Sequence, residues 1–450
     1  MPPKISTFIF LLFVFLNPSI LLASHVQTVK TLDGWRLLVD DEPYLVKGVC
    51  YTPARVGEDP NHGTLEDWMM LDSDGDGIAD APYESWVDIN QNNRPDSDEL
   101  PVGDFELLRR MGCNTIRLYD HASANPDIQD LRLGSETFYN HAPNKEILRD
   151  LFQTYGIRVA MGDLMGAYNV GSGAEPGEKT DYTDARQRDN MLRSVEDMVH
   201  EFKNEPFLLM WILGDENDQD SARTNAAQYP EAYARFVNIV AERIHMLDPH
   251  HPVCLCTGRT DFLFFLNRYA PSVDIYGINN FRRGGFGKLW DTVRFAYDRP
   301  VLLTAYGTGH PKVKDGVLDE LDQAKVHQEA WMDIESHRAG KDAPGNAIGG
   351  FAFEWLDSWW RDGSPDEQNM SPDNIDTHEW NGIASQGDGR YSPFLRQLRR
   401  VYFMYQSLWT GAKADAEALM QNQHHLERRA PTGTLPVRDA PLDPGHAGHL

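Results

Sequence analysis

The sequence predicts a (β/α)8 barrel, also called a TIM barrel. Three observations carry that expectation: eight short apolar segments, amphipathic helical segments between them, and KGVCYTPARVG after the first strand in place of a glycine-rich phosphate loop. The last separates a closed parallel barrel from a doubly wound open sheet, which would carry its phosphate loop at that point. In order, the strands read at Leu45 to Tyr51, Thr115 to Tyr119, Ile157 to Gly162, Phe207 to Leu213, Val253 to Cys256, Val273 to Ile278, Val301 to Thr304 and Ile348 to Phe353. Between them, Met191, Val195, Met198, Val199 and Phe202 share one helical face, as do Tyr233, Phe236, Val237, Val240 and Ile244.

Ahead of the barrel, Lys4 precedes an apolar run from Ile5 to Leu22 and the small residues Ala23 and Ser24. This pattern predicts a signal peptide over 1–24, hence a secreted or periplasmic protein, or a membrane-anchored one if the segment stays uncleaved. No other stretch is apolar enough to span a membrane. The segment TVKTLDGWRLLVDDEPYLVKGVCYTP then alternates and turns like a hairpin, with Trp35 to Val39 before an acidic turn at Asp40 to Glu42. The barrel is expected over 25–410, interrupted after its first strand by an acidic insertion at 56–100. Residues 411–450 are polar, with Pro431, Pro436, Pro441 and Pro444, and predict a disordered tail.

With 450 residues, 41% of them hydrophobic, the chain can build one large core. Its net charge of -26 argues against nucleic acid or anionic membrane as a partner. Four cysteines are too few for a disulfide framework, and Cys254 and Cys256, two apart on a strand, read as buried small apolar residues.

Thirteen acidic residues and one basic residue, Arg94, stand between Glu58 and Glu99. Within them DSDGDGIAD places Asp72, Asp74, Asp76 and Asp80 at positions 1, 3, 5 and 9 of a calcium loop, with Gly77 at the sharp turn. DINQNNRPDSDE repeats the spacing with Asp88, Asn90, Asn92, Asp96 and, at position 12, Glu99. Asn93 stands at the turn of this second loop, and Asn tolerates the left-handed conformation needed there. Position 12 of the first loop is Tyr83, so its last ligand must come from Glu84 or elsewhere. The core resembles the calcium loops of dockerin and thrombospondin type 3 repeats. Structural calcium is the expected cofactor, an uncomplexed acidic loop the alternative, and no organic cofactor is expected.

The segment KNEPFLLMWILGDEND, Lys203 to Asp218, runs an apolar strand straight into Gly214, Asp215 and Glu216. Here the chain resembles clan A glycoside hydrolases, especially the TIM-barrel domain of glycoside hydrolase family 2 and related glucanosyltransferases, whose fourth strand ends in W-x-L-G-N-E. The resemblance extends through LVKGVCYTP, MGCNTIRLYD, VDIYGINNFRRGGFG, PVLLTAYGTGH and GGFAFEWLDSWW. It implies Glu216 as the catalytic acid/base. It also implies a nucleophilic Glu after the seventh strand, in T-E-Y-G; this chain reads TAYG, with Ala305 there. Asp215 replaces the Asn that helps hold the sugar 2-hydroxyl, and Phe281 stands where a Tyr hydroxyl often touches the nucleophile.

A glycosidase needs one carboxyl to protonate the leaving oxygen and another opposite it, as nucleophile or as base for water. Glu354 is the expected replacement, facing Glu216 across the barrel mouth, with Asp357, Asp163 and Asp215 as further candidates; the alternative is that Glu354 pairs with Arg117 or another rim base. Sugar rings stack on flat side chains, and Trp355, Trp359, Trp360 and Trp380 cluster after the eighth strand. The expected substrate-binding set is Arg117, Tyr119, Asp163, Asp215, Asn279, Phe281, Trp355, Asp357 and Trp359. The reading is an exported glycoside hydrolase or transglycosylase acting on a β-linked polysaccharide or oligosaccharide. The rival reading is a catalytically inactive carbohydrate-binding barrel.

Overall fold

A computed structural model describes residues 23–60, 65–121, 144–175, 178–219, 223–314, 316–340, 344–369 and 376–411. The expected signal peptide and tail lie almost wholly outside these residues. Three strands, β1 (Val26–Thr31), β2 (Gly34–Val39) and β3 (Glu42–Tyr44), form an antiparallel sheet. Asp40 and Asp41 both take positive φ in the two-residue turn between β2 and β3, the twist such a hairpin favours. The expected hairpin is therefore present and gains β1, whose mixed polar sequence hides it.

Eight parallel strands then close into the barrel: β4 (Val46–Cys50), β6 (Thr115–Leu118), β7 (Arg158–Asp163), β8 (Leu208–Leu213), β9 (Val253–Thr257), β10 (Ile275–Asn280), β11 (Val301–Tyr306) and β14 (Ala347–Ala352), with a short antiparallel pair, β12 (Val313–Lys314) and β13 (Val317–Leu318), between the last two. Each pairs with its neighbours in chain order, and β14 returns to β4 with Phe351 opposite Gly48. A side chain at Gly48 would meet the Phe351 ring at 2.3 Å, so the seam closes only over a glycine. Alternate residues divide between two cores. Val46, Ala160, Leu209, Cys254, Cys256, Leu302 and Phe351 fill the barrel, while Ile116, Val159, Leu208, Trp211, Val253 and Leu255 face the helices. All four cysteines are buried and free.

The helices follow the expected faces. In Ala185–Phe202 the side chains of Met191, Val195, Met198, Val199 and Phe202 are buried, and Asp184 caps the first turn by accepting from the Gln187 amide at 2.9 Å. In Pro230–Leu247 the proline opens the helix and Tyr233, Phe236, Val237, Val240 and Ile244 are buried. No helix among the described residues is long and apolar enough to cross a membrane.

The N-terminal sheet closes the end of the barrel where the strands begin: Trp35 donates to Gly345 O, just before β14, and Val26 to His250 O, just before β9. The opposite rim is therefore the open one. The insertion after β4 lies at that rim. Its strand β5 (Trp86–Val87) pairs with β16 (Leu395–Leu398), which also pairs with β15 (Ala384–Ser385). A fully buried ion pair, Arg396 with Asp104 at 2.7 Å, joins this sheet to the helix Asp104–Met111.

Candidate active site

A cavity of about 370 Å³ opens at the strand C-termini. Thr52, Tyr119, Leu164, Asp215, Phe281, Ala305 and Phe353 reach its wall from the segments at or after seven of the strands. Glu216 reaches it by a sharp turn. Gly214 and Glu216 both take positive φ, 71° and 57°, the second a costly conformation for a residue with a side chain. The turn is held by Asn217, which accepts from the Asp215 amide at 2.7 Å and donates to Leu164 O, Met165 O and the Tyr182 hydroxyl.

The two acids at this turn have opposite surroundings. Asp215 is fully engaged: Oδ1 accepts from Arg117 Nη2 at 3.1 Å and Asn279 Nδ2 at 3.0 Å, and Oδ2 from the Tyr168 hydroxyl at 3.0 Å. Arg117, 1% exposed, lies beneath the cavity floor, donates to Thr304 O at 2.8 Å and rests on the Tyr119 ring. Glu216 accepts from Gln219 Nε2. Burial, and after it the Asp215 charge, push the Glu216 carboxyl up to about 7 against the opposing influence of Asn279 and Arg117. One carboxyl is thus kept as an acceptor and the other kept ready to carry a proton, the arrangement general-acid chemistry requires.

Ala305, at the end of β11, is on the wall with Phe281, whose ring packs edge-on against Phe353. Glu354 is not. Its carboxylate is 1% exposed and accepts from Arg361 Nε at 3.2 Å, Arg361 Nη2 at 3.1 Å and Ser358 Oγ at 3.1 Å. The expected position opposite Glu216 is therefore corrected: Arg361, lying over the Trp360 and Phe353 rings, faces the cavity, and Glu354 stands behind it.

Of the expected substrate-binding residues, Tyr119, Asp215, Asn279 and Phe281 line the cavity and Arg117 supports it from below. Four others are placed differently. Asp163 accepts from Ser194 Oγ at 2.7 Å and lies against His121, and Asp357 is gripped by Arg399 through two bonds of 2.6 Å, so both carboxylates are spent on internal partners. Trp355 is wholly buried beside Tyr402, and Trp359 packs its ring edge against Gly389. Of the rim tryptophans only Trp360 lines the cavity. Thr52, Gln219, His310 and His378 escaped the sequence reading; His310 and His378 line the cavity from segments 68 positions apart.

The acidic insertion folds into two loops of one design. Position 1, Asp72 or Asp88, accepts from the amide of position 5 at 3.1 Å in both, and from that of position 6 at 2.8 and 2.9 Å. Position 3, Asp74 or Asn90, accepts from position 5 at 3.1 and 3.0 Å; position 5, Asp76 or Asn92, accepts from position 7 at 2.8 Å in both. Positions 4 and 6 have positive φ in each: Gly75 and Gly77, Gln91 and Asn93. The second loop closes through Glu99, which accepts from the Ile89 and Asp96 amides, while Asp96 accepts from the Asn90 and Asn92 amide groups.

The first loop closes differently. A π-helical turn, Asp80–Glu84, adds one residue and brings Glu84, not Tyr83, toward the acids. Burial, followed by Asp76, Asp80 and Asp74, pushes Glu84 up to about 7. Asp80 is fully buried, and its Oδ2 has no hydrogen-bond partner. An orphaned carboxylate oxygen beside Asp72, Asp74 and Asp76, whose oxygens lie within 4.8 Å of one another, fits a hard cation with oxygen ligands.

Against known proteins, the model of the glycosyl hydrolases family 2 TIM barrel domain matches residues 136–333. The chain resembles the family 2 glycosyl hydrolase barrel. No curated protein matches the sequence. Among solved structures, β-glucuronidase from Bacteroides uniformis is 16% identical with a TM-score of 0.50, covering 85% of this chain and 37% of that one. The Parabacteroides merdae β-glucuronidase is 15% identical with a TM-score of 0.50, covering 85% and 39%. The β-D-glucuronidase from Dictyoglomus thermophilum is 14% identical with a TM-score of 0.49, covering 86% and 54%, so this chain spans about half its length. These likenesses are ones of fold. In the barrel seen here, Glu216 stands three residues beyond the end of the fourth strand and Ala305 lies within the seventh.

Proposed function

We propose that this chain is an exported glycoside hydrolase or transglycosylase acting on a β-linked polysaccharide or oligosaccharide, with Glu216 as its acid/base. The observation that carries this reading is the pair at the end of the fourth barrel strand: Glu216 raised to about 7 on the cavity wall, beside an Asp215 held by Arg117, Asn279 and Tyr168. The match to the family 2 barrel supports it, and the apolar N-terminal run supports export.

With Ala305 on the wall, the anomeric carbon meets water rather than a side-chain nucleophile. Glu354 serves as base for that water only when Arg361 swings out of the cavity. The same clamp favours the second reading, a carbohydrate-binding barrel without catalysis.

One experiment separates the two. Reducing-sugar release is measured for the native protein, Glu216→Gln and Glu354→Gln on a panel of β-glucans and β-glucuronides, the latter included because β-glucuronidases share the fold. Release by the native protein that is lost in Glu216→Gln supports the enzyme. No release from any substrate, with binding retained, supports the binder. Calcium in the two acidic loops is part of this reading, with Asp72, Asp74, Asp76, Asp80 and Glu84 as ligands of the first ion and Asp88, Asn90, Asn92, Asp96 and Glu99 as ligands of the second. Its role is to hold the rim insertion in shape.

A further inference from the structure

A second group of ligand-type side chains stands on the cavity rim, apart from Glu216 and from the acidic loops. One donor atom each from His310, Asp376 and His378 lies within 4.8 Å of the others. His378 Nδ1 is 2.6 Å and His310 Nδ1 3.7 Å from Asp376 Oδ1, and Asp362 Oδ2 is 3.8 Å from His378 Nδ1. The two imidazole rings are 4.3 Å apart, centre to centre.

The hydrogen-bond pattern is the informative part. Asp376 Oδ1 and Asp362 Oδ2 are both buried, and neither accepts a hydrogen bond, although an imidazole nitrogen is close to each. Donors aimed at acceptors would have satisfied these oxygens. Nitrogen and oxygen atoms that approach without aligning leave lone pairs unused, a need that a cation held between them would satisfy.

The backbone that carries them is fixed in advance. Thr377 Oγ1 donates to Pro311 O at 2.7 Å, Asn381 Nδ2 to Gly309 O at 2.9 Å, and Thr308 Oγ1 to Asn381 Oδ1 at 3.0 Å. These bonds join the segment after β11, which bears His310, to the segment that bears Asp376 and His378. Such outer bonds are what keep a metal site in register.

We propose that His310, Asp376 and His378, with Asp362 as fourth ligand, bind a divalent transition metal ion, zinc above all, on the cavity rim. Two imidazole nitrogens select against calcium and magnesium, and two carboxylates balance the ion's charge. Tetrahedral zinc with bonds near 2.0–2.2 Å sets its ligands about 3.3 Å apart. Of the six ligand separations in such a site, the three given above differ from that value by at most about 0.7 Å, and Asp362, which stands outside the group of three, moves in toward it to complete the set. Filled by four side chains, the site is structural: it clips together two rim segments whose His310 and His378 form part of the cavity wall. The proposal does not depend on the hydrolase reading.

The test uses the full chain, stripped with chelator and given excess calcium to fill the acidic loops. Cobalt(II) is titrated in, and its visible absorption is followed. The expected result is one equivalent of intense tetrahedral bands, with affinity falling at least about tenfold in His310→Ala and in His378→Ala. His310 is 61% exposed as a side chain, so that variant keeps the test alive if His378→Ala fails to fold. The metal-free variants are compared with the native protein by thermal melting. Absence of tetrahedral bands overturns the proposal. So do bands that persist in a folded His310→Ala, which would belong to other histidines such as His424 and His425.

Discussion

Replacing Asp215 by Asn lowers the pKa of Glu216. The Glu216 carboxyl stands at about 7 instead of 4.5, a difference worth about 3 kcal/mol between its two protonation states. Burial is the larger cause and survives the substitution. The Asp215 charge is the second cause and does not. Arg117, now without its carboxylate, favours ionised Glu216 more strongly, so both changes act in one direction. The pKa should fall by about one pH unit or more, yet stay above 4.5 because the burial remains. Selective carboxyl-carbon labelling of glutamate, with Glu216→Gln to assign the resonance, follows the titration by NMR. A Glu216 that still titrates at 7 or higher in Asp215→Asn would refute the division of labour between the two acids. Stability gives a second view. Because the folded pKa is raised, the contribution of Glu216 is fully present below pH 4.5 and is lost as pH rises toward 7. The variant loses less from this source, but the stranded Arg117 carries its own penalty of about 3–5 kcal/mol, which makes the NMR titration the cleaner measurement.

Other outcomes follow from the same geometry. Ala305→Glu puts a carboxylate on the cavity wall in the seventh strand; it should give hydrolysis of aryl β-glycosides with retained anomeric configuration, read by proton NMR, and lose it again in combination with Glu216→Gln. Removal of calcium with chelator should lower the thermal midpoint, and Asp88→Ala should abolish the part of that shift owed to the second loop; identical midpoints with and without chelator would count against both ions. Asp104→Asn breaks a fully buried ion pair with Arg396 and should cost about 3–5 kcal/mol in denaturant unfolding.

The barrel was legible because parallel strands buried on both faces read as continuous apolar runs. All eight expected strands are present, with ends displaced by at most two residues. The strand β1 was hidden by alternating polar residues, and β15 and β16 by their shortness. Glu216 was singled out by the resemblance of its segment to the W-x-L-G-N-E strand end, and the structure puts it on the cavity wall. The rim carboxylates were not. Glu354, Asp357 and Asp163 look alike in sequence, and their fates depend on Arg361, Arg399 and the pair His121 and Ser194, most of them distant along the chain. The closure of the first acidic loop by Glu84 was only half legible, since a π-turn leaves no mark in composition. The histidine cluster was invisible for a simpler reason: its members meet only when the segments after β11 and β14 fold together.

Arg117 stands on β6, yet its guanidinium touches Asp215 after β8 and Asn279 of β10, and it donates to the backbone of β11. One cation thus serves as the keystone of four strands drawn from nearly 200 residues of chain. The acid pair is complete only when both halves of the sequence have met around that cation: Arg117 and Tyr168 come to Asp215 from the first half, while Asn279 and the Thr304 carbonyl that holds Arg117 come from the second. Ligand recognition at this floor should therefore disappear at the same denaturant concentration as the barrel itself, with no earlier stage in which the fold stands and the site has gone.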